Sequence, residues 1–359
     1  MTPRKLHLQI VLGTLVFLGY AFLAVSPIPE EDVLLKDWIR SFESTYADTS
    51  GTDKRYPFEI GSSDAAHFGY FDKNGVFSIN RITQKNLSLS DDLFAEYEAV
   101  PREFEIKNSA NETVLHIENT NGYPLFLNDR IYLVSLEQNA ITEIAEDGSE
   151  IWSYAFASPL TCIAGAQGHL LLGTLDGTVE LLDENGRRVF FFETGGSRIT
   201  CIYGVSISRD LSHIGVISGI DDQRFLLFEQ YAGSYQVAHH EFIGDGKRRP
   251  VYIRFLDGDS RLAFEYEDGL GLYDIKSRTS YRIPLDGEIA AMDNEGGDGL
   301  FFLVTKEEQN QKHLIGIKYP ASVIVKTPFK SAGTFLHRAD GALFVGSDRG
   351  LASFALDKR

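Results

Sequence analysis

The stretch from Leu160 to Thr194 reads LTCIAGAQGHLLLGTLDGTVELLDENGRRVFFFET. Turn-forming residues at Gln167-Gly168, Asp176-Gly177 and Glu184-Asn185-Gly186 separate three short apolar runs, and a fourth, Val189 to Phe192, follows. Asp-Gly and Asn-Gly between apolar runs tolerate the positive φ of tight hairpin turns. The spacing predicts four antiparallel strands in one small sheet.

The unit recurs along the chain. Its central hairpin turn falls at Val100-Pro101, Asn139, Gly177, Asp222, Gly269, Asn310 and Gly350, with spacings of 38, 38, 45, 47, 41 and 40 residues. IYLVSLEQNAITEIAEDGSEIWSY, LAFEYEDGLGLYDIKSRTSYRI and ALFVGSDRGLASFAL repeat the order strand, polar turn, strand, turn, strand. A four-strand period of about 40–45 residues is that of a β-propeller blade. The chain is therefore expected to be all-β, with about seven four-stranded blades. Eight is the alternative, because residues 57–82 hold extra strands (FGYFD and VFSIN around Lys73-Asn74-Gly75) but less than a full unit. The last unit stops after three strands, at Leu356. An N-terminal strand should complete it, which removes both sheet edges. A two-domain β-sandwich fits the even spacing less well.

AITEIAEDGSEIWSY (Ala140 to Tyr154) resembles the blade signature of pyrroloquinoline-quinone-like propellers, in which an acid-x-x-x-Gly turn leads to a Trp. Val179 to Phe192 resembles the same element without the Trp, and WD-repeat propellers are the neighbouring family. The resemblance covers about residues 57–357. It implies the propeller fold and a range of roles, from quinone dehydrogenases to assembly factors and scaffolds.

Residues 8–25, LQIVLGTLVFLGYAFLAV, carry no charge and follow Arg4 and Lys5, while Glu30, Glu31 and Asp32 stand beyond them. Residues 1–28 read as an uncleaved signal anchor. A cleaved signal peptide ending at Ala24-Val25-Ser26 and a buried core helix are the alternatives. The flanking charges put the N-terminus in the cytoplasm and the rest outside the cytoplasmic membrane, periplasmic if the cell is bacterial with an outer membrane. Without Arg4 and Lys5 the net charge moves from −17 to −19. That excludes nucleic acid as a natural partner, because binding it requires phosphate neutralisation.

Residues 29–56 are expected to form an amphipathic helix and linker before a propeller domain at 57–359. PEEDVLLKDWIRSFES opens on Pro and three acids, and Leu34, Leu35, Trp38, Ile39 and Phe42 recur at helical spacing. Trp38 and Phe42 are candidate partner contacts if this helix docks, and packing residues if it lies on the domain. Tyr46 to Arg55 reads as a polar spacer.

No Gly-x-Ser-x-Gly, His-Glu-x-x-His, P-loop or CxxC motif occurs. His239-His240 would point to opposite faces of a strand and could not ligate one metal together. Asp257-Gly258-Asp259 and Asp293 to Gly299 are oxygen-rich loops without EF-hand spacing. Cys162 and Cys201 share the pattern Thr-Cys-Ile-x-Gly, and read as buried thiols or, in an oxidising compartment, as a pair between neighbouring strands. No catalytic residue, cofactor or metal is expected.

The loop Gly244 to Pro250 concentrates Lys247, Arg248 and Arg249 in an acidic chain. It is either a solvated loop or a contact for an acidic partner or anionic polymer. The functional expectation is a membrane-anchored scaffold that binds protein partners in the cell envelope. A quinone-dependent dehydrogenase, or a small-ligand or carbohydrate binder using the central channel, is the alternative.

Overall fold

The computed structural model describes residues 13, 14, 17, 32–43, 54–61, 64–244 and 247–358. The chain divides into two compact units, 1–35 with 355–359, and 36–354. The strands β1 (Asp32–Ser41) and β31 (Gly350–Lys358) run through both.

Eight antiparallel sheets follow one another. The first blade is β2 (Arg55–Gly61), β3 (Ala66–Asp72) and β4 (Phe77–Thr83); the second is β5 (Asn86–Leu89), β6 (Leu93–Tyr97), β7 (Glu103–Asn108) and β8 (Thr113–Glu118). The third holds β9 (Gly122–Leu127), β10 (Arg130–Ser135), β11 (Ala140–Ile144) and β12 (Glu150–Ala155). The fourth is the stretch that opened the sequence reading: β13 (Leu160–Ala166), β14 (His169–Thr174), β15 (Thr178–Leu182) and β16 (Arg188–Glu193). Next come β17 (Ile202–Ile207), β18 (His213–Ser218), β19 (Arg224–Tyr231) and β20 (Ser234–Phe242), then β21 (Ile253–Leu256), β22 (Arg261–Tyr266), β23 (Gly269–Asp274) and β24 (Thr279–Pro284). The seventh is β25 (Glu288–Met292), β26 (Leu300–Lys306), β27 (Gln311–Lys318) and β28 (Ser322–Lys330). The eighth, β29 (Phe335–Ala339), β30 (Ala342–Ser347) and β31, takes β1 as its fourth strand.

Sequence pattern follows position in the blade. Second strands such as HLLLGT and LFFLVTK are apolar on both faces because a neighbouring sheet covers each side. Leu171 and Leu172, both fully buried, belong to the cores on opposite sides of one blade. Each such Leu contributes about 1.5–3 kcal/mol. Fourth strands such as RVFFFE alternate, since their outer flank meets solvent. Gly177 and Gly186 take φ of +91° and +73° in the turns on either side of β15, as the Asp-Gly and Asn-Gly pairs require.

The count is eight blades, not seven. Residues 55–83 form a three-stranded blade of their own, and the strand that closes the ring lies further upstream. That closing strand is β1, where an amphipathic helix over 29–44 was expected. Its apolar residues do recur at helical spacing, but edge pairing in the last sheet overrides that local preference. Trp38 sinks to 8% exposure while adjacent Ile39 remains 62% exposed, the two-residue alternation of a strand. The anchor expected within 1–28 lies outside the described residues apart from 13, 14 and 17. Among the described residues no helix is long and apolar enough to cross a membrane.

The three-stranded blade has reversed polarity. First strands of neighbouring four-stranded blades run parallel: Ser206 of β17 meets Phe255 of β21, and Tyr252 and Arg254 meet Ala290 and Met292. In contrast Phe58 and Tyr56 of β2 stack against Phe335 and His337 of β29, rising as the other falls. Parity explains it. Only Gln84 and Lys85 separate β4 from β5, so β4 must end where β5 begins, and an odd strand count then turns β2 around.

Side chains tie the first strands of the fifth to eighth blades to one another. The Tyr252 hydroxyl donates to the Ala290 carbonyl (2.7 Å), the Arg338 amide to Asn294 Oδ1 (2.7 Å), and the Phe255 amide to Ser206 Oγ (3.3 Å). They satisfy backbone groups that the channel side of a first strand leaves unpaired.

Candidate binding site at the channel mouth

Two cavities open at the end of the ring where the first strands begin. One, about 470 Å³, is bounded by Arg249 to Tyr252, Ile289, Lys306, Lys312 and Thr334. The other, about 510 Å³, is bounded by Tyr123, Cys162, Cys201, Tyr203 and Arg248. Arg249 and Pro250 line both. Among the described residues no Asp or Glu lines either cavity, although the chain holds 51 acidic residues.

The carboxylates at this end stand behind the cations. Glu265, on β22 and 1% exposed, accepts from Arg249 Nη1 (3.1 Å) and Nη2 (2.6 Å), with Lys247 Nζ at 3.2 Å. Glu288 pairs with Lys306 at 3.2 Å and with Arg249 at 3.8 Å, and the Lys306 hydrogen bond holds its carboxyl below the usual range. Lys312, 3% exposed, donates to the carbonyls of Ser331 (2.6 Å) and Ala332 (3.0 Å). Burial lowers its ammonium pKa, Lys306 lowers it further, and Asp348 opposes both. Among the described residues, Arg248 and Lys312 have no carboxylate within ion-pair distance. Positive charge in partly walled cavities attracts anions over a longer range than on an open surface.

The structure therefore brings Lys247, Arg248 and Arg249 together with Lys306, Lys312 and Tyr252, none of which the sequence reading had selected. A signal existed. Lys312 lies in phase with Leu314, and Glu265 with Ala263, so each charge occupies the buried face of its strand. Trp38 and Phe42 belong elsewhere. Trp38 packs on Phe71 and Phe344 and donates Nε1 to the Lys73 carbonyl (2.9 Å), and Phe42 stacks on Phe58 and against His67. Both rings are core residues of the last and first blades.

The oxygen-rich loops at the opposite end are occupied by the protein itself. Asp293, fully buried, faces Arg338 at 3.5 Å, Asp257 pairs with Arg261, and Asp259 accepts the Arg209 amide at 2.7 Å. His239 and His240 stand opposite Leu227 and Leu226, and His239 stacks on Tyr273. Among the described residues no three His, Cys, Asp or Glu side chains gather as metal ligands. Both cysteines are free.

A family profile described as a β-propeller protein matches residues 1–358. The chain belongs to this β-propeller family. An uncharacterised protein of Treponema pallidum (strain Nichols) is 26% identical over 310 residues, covering 83% of this chain and 80% of the relative. The crystal structure of BamB from Moraxella catarrhalis superposes with a TM-score of 0.62 at 12% identity, over 90% of this chain and all of that one. At that identity the likeness is one of fold. The likeness to pyrroloquinoline-quinone-like and WD-repeat propellers remains a local one. The Trp152 ring covers Gly186 in the next blade so closely that a Cβ there would overlap it.

Proposed function

We propose that this β-propeller is a membrane-anchored, extracytoplasmic scaffold of the cell envelope that docks an acidic segment of a partner protein at the channel mouth. The observation that carries this reading is the pair of cavities lined by cations and, among the described residues, by no carboxylate, in a chain of net charge −17. Complementary charge speeds encounter and fixes orientation. Arg248, exposed and among the described residues without a carboxylate partner, would make first contact together with the exposed Lys306; Lys312, 3% exposed, would hold the segment deeper. The charge-free run at residues 8–25, with cations before it and acids after it, supports the anchor and the extracytoplasmic side.

The test is cross-linking in cells of the full-length protein and of Arg248→Glu with Lys306→Glu, followed by mass spectrometry of the captured proteins. One envelope protein captured by the native chain, and reduced at least tenfold with the double variant, is the expected result. Capture that is indifferent to the charge reversal would remove the mouth from the reading. A second reading rests on cavity size, since about 500 Å³ also suits a small anionic ligand. A rise in Tm of the purified protein with a small dicarboxylate, lost in the same variant, would favour it.

A further inference from the structure

The two cavities at the mouth share the Arg249-Pro250 wall and differ in chemistry. Lys306 and Lys312 bring charge to the first. The second is walled by Leu160, Cys162, Ile163 and Ile202 and by the rings of Tyr123 and Tyr203. The Arg249 guanidinium is held on Glu265 and Glu288, of the sixth and seventh blades. Arg248 is therefore the one free cation at the second cavity among the described residues. Its rim is apolar as well. Leu175 is 54% and Ile199 49% exposed, and Pro159 beside them is exposed too. These side chains stand on hydrogen-bonded turns. The Leu175 amide donates to the Pro159 carbonyl (2.8 Å), the Thr200 hydroxyl to the Asp176 carbonyl (2.7 Å) and the Ile220 amide to the Ile199 carbonyl (3.2 Å). Single exposed apolar residues are ordinary, whereas neighbouring ones at the edge of a cavity mark a contact surface.

We propose that the partner segment docked at the mouth is amphipathic. One large apolar side chain enters the cavity at Cys162 and Tyr203, across the rim of Leu175 and Ile199, while acidic residues reach the cavity at Lys306 and Lys312. This rests on the reading of the mouth as a site for an acidic segment, and adds what retains the segment once it has arrived. Charge speeds encounter and sets direction, whereas buried aromatic and apolar anchors carry most of the binding energy at an interface. A cavity of about 510 Å³ with two tyrosines on its wall suits an aromatic or long aliphatic side chain. Asp176, next to Leu175 on the rim, discourages an acidic residue from this half of the mouth. The order along the segment follows as well. Because the two cavities share a wall, the anchor and the nearest acid should lie within about six residues, roughly 20 Å of extended chain.

The test uses the full-length chain in its own membrane, with a photo-cross-linking residue at Leu175 in one protein and at Ala332 in another. Ala332 is exposed and lines the first cavity. Adducts from the two positions should map to one segment of one partner, with an apolar residue at the Leu175 probe and Asp or Glu at the Ala332 probe. Ile199→Asp, a change at an exposed rim position, should cut the Ala332 adduct about tenfold with Tm unchanged, and Ile199→Leu should preserve it. An Ala332 adduct that is lost in Arg248→Glu with Lys306→Glu, yet ignores Ile199→Asp or shares no segment with the Leu175 adduct, would overturn the apolar anchor and leave the acidic site standing. Adducts confined to a second copy of this chain, or no polypeptide adduct from either position, would overturn both.

Discussion

The carboxylate of Glu265 lies beneath the guanidinium of Arg249, 1% exposed and bound through both terminal nitrogens at 3.1 and 2.6 Å. Loss of one partner leaves a buried charge that the other was neutralising, and such losses cost about 3–5 kcal/mol when no substitute remains. Lys247 at 3.2 Å is a partial substitute. Arg249→Ala should therefore lower stability by about 2–3 kcal/mol. Arg249→Met combined with Glu265→Met should recover most of that loss, because the pair becomes apolar at similar volume. Urea unfolding of the three proteins checks this, and a neutral single variant would show that Arg249 does not hold Glu265.

The ring is closed by β1, so the position of an N-terminal truncation decides its effect. A chain beginning at residue 29 keeps β1 and should melt cooperatively. One beginning at residue 44 loses Trp38, which packs on Phe71 and Phe344, and bares the edge of β31. It should be less stable and prone to self-association. Trp38→Ala alone should cost about 3–5 kcal/mol, the usual penalty for emptying a large aromatic site. Scanning calorimetry with light scattering decides it: equal melting of the two truncated chains would contradict closure by β1.

What the sequence makes legible depends on how local the cause is. The turns on either side of β15 need positive φ at Gly177 and Gly186, and the residues stating that need are adjacent in the chain. The repeat and the all-β class follow from such turns. β1 was misread because a single strand of ten residues offers little pattern, and Leu34, Leu35, Trp38 and Ile39 satisfy the helical period by coincidence. Its strand character comes from β31, more than three hundred residues away. The basic loop at 247–249 was visible as composition. Its convergence with Lys306 and Lys312 was not, since those two lie on the seventh blade, about sixty residues further along the chain than the loop between the fifth and sixth.

The cysteines offer a chemical check on packing. Burial pushes the Cys162 thiol up to about 12, with Cys201 nearby adding to the shift, and burial raises Cys201 as well. Thiolate is the nucleophile, so both should resist alkylation by iodoacetamide at pH 8 in the native protein. In urea without reductant, both should react within minutes, as free thiols with ordinary pKa values do. Intact-mass measurement reads the two added groups. A disulfide between Cys162 and Cys201 would leave the unfolded chain unlabelled until reduced.

His337 should make the ring sensitive to mild acid. The imidazole stacks between Phe335 and Tyr56. Burial lowers its pKa; Asp91, Glu295 and Asp293 pull it back up in part, and Lys54 pushes it down again. The unfolded residue titrates near 6.5 and the folded one below that. Between the two values the unfolded chain holds more protons, so stability rises with pH there and falls as acid is added through about pH 6.5. His67, also lowered by burial, acts in the same direction. His337→Gln should flatten the dependence of Tm on pH between about 7.5 and 5 without abolishing it. An imidazole resonance assigned to His337 should titrate below the free value; titration above it, or a Tm profile unchanged by the substitution, would contradict a neutral, buried ring.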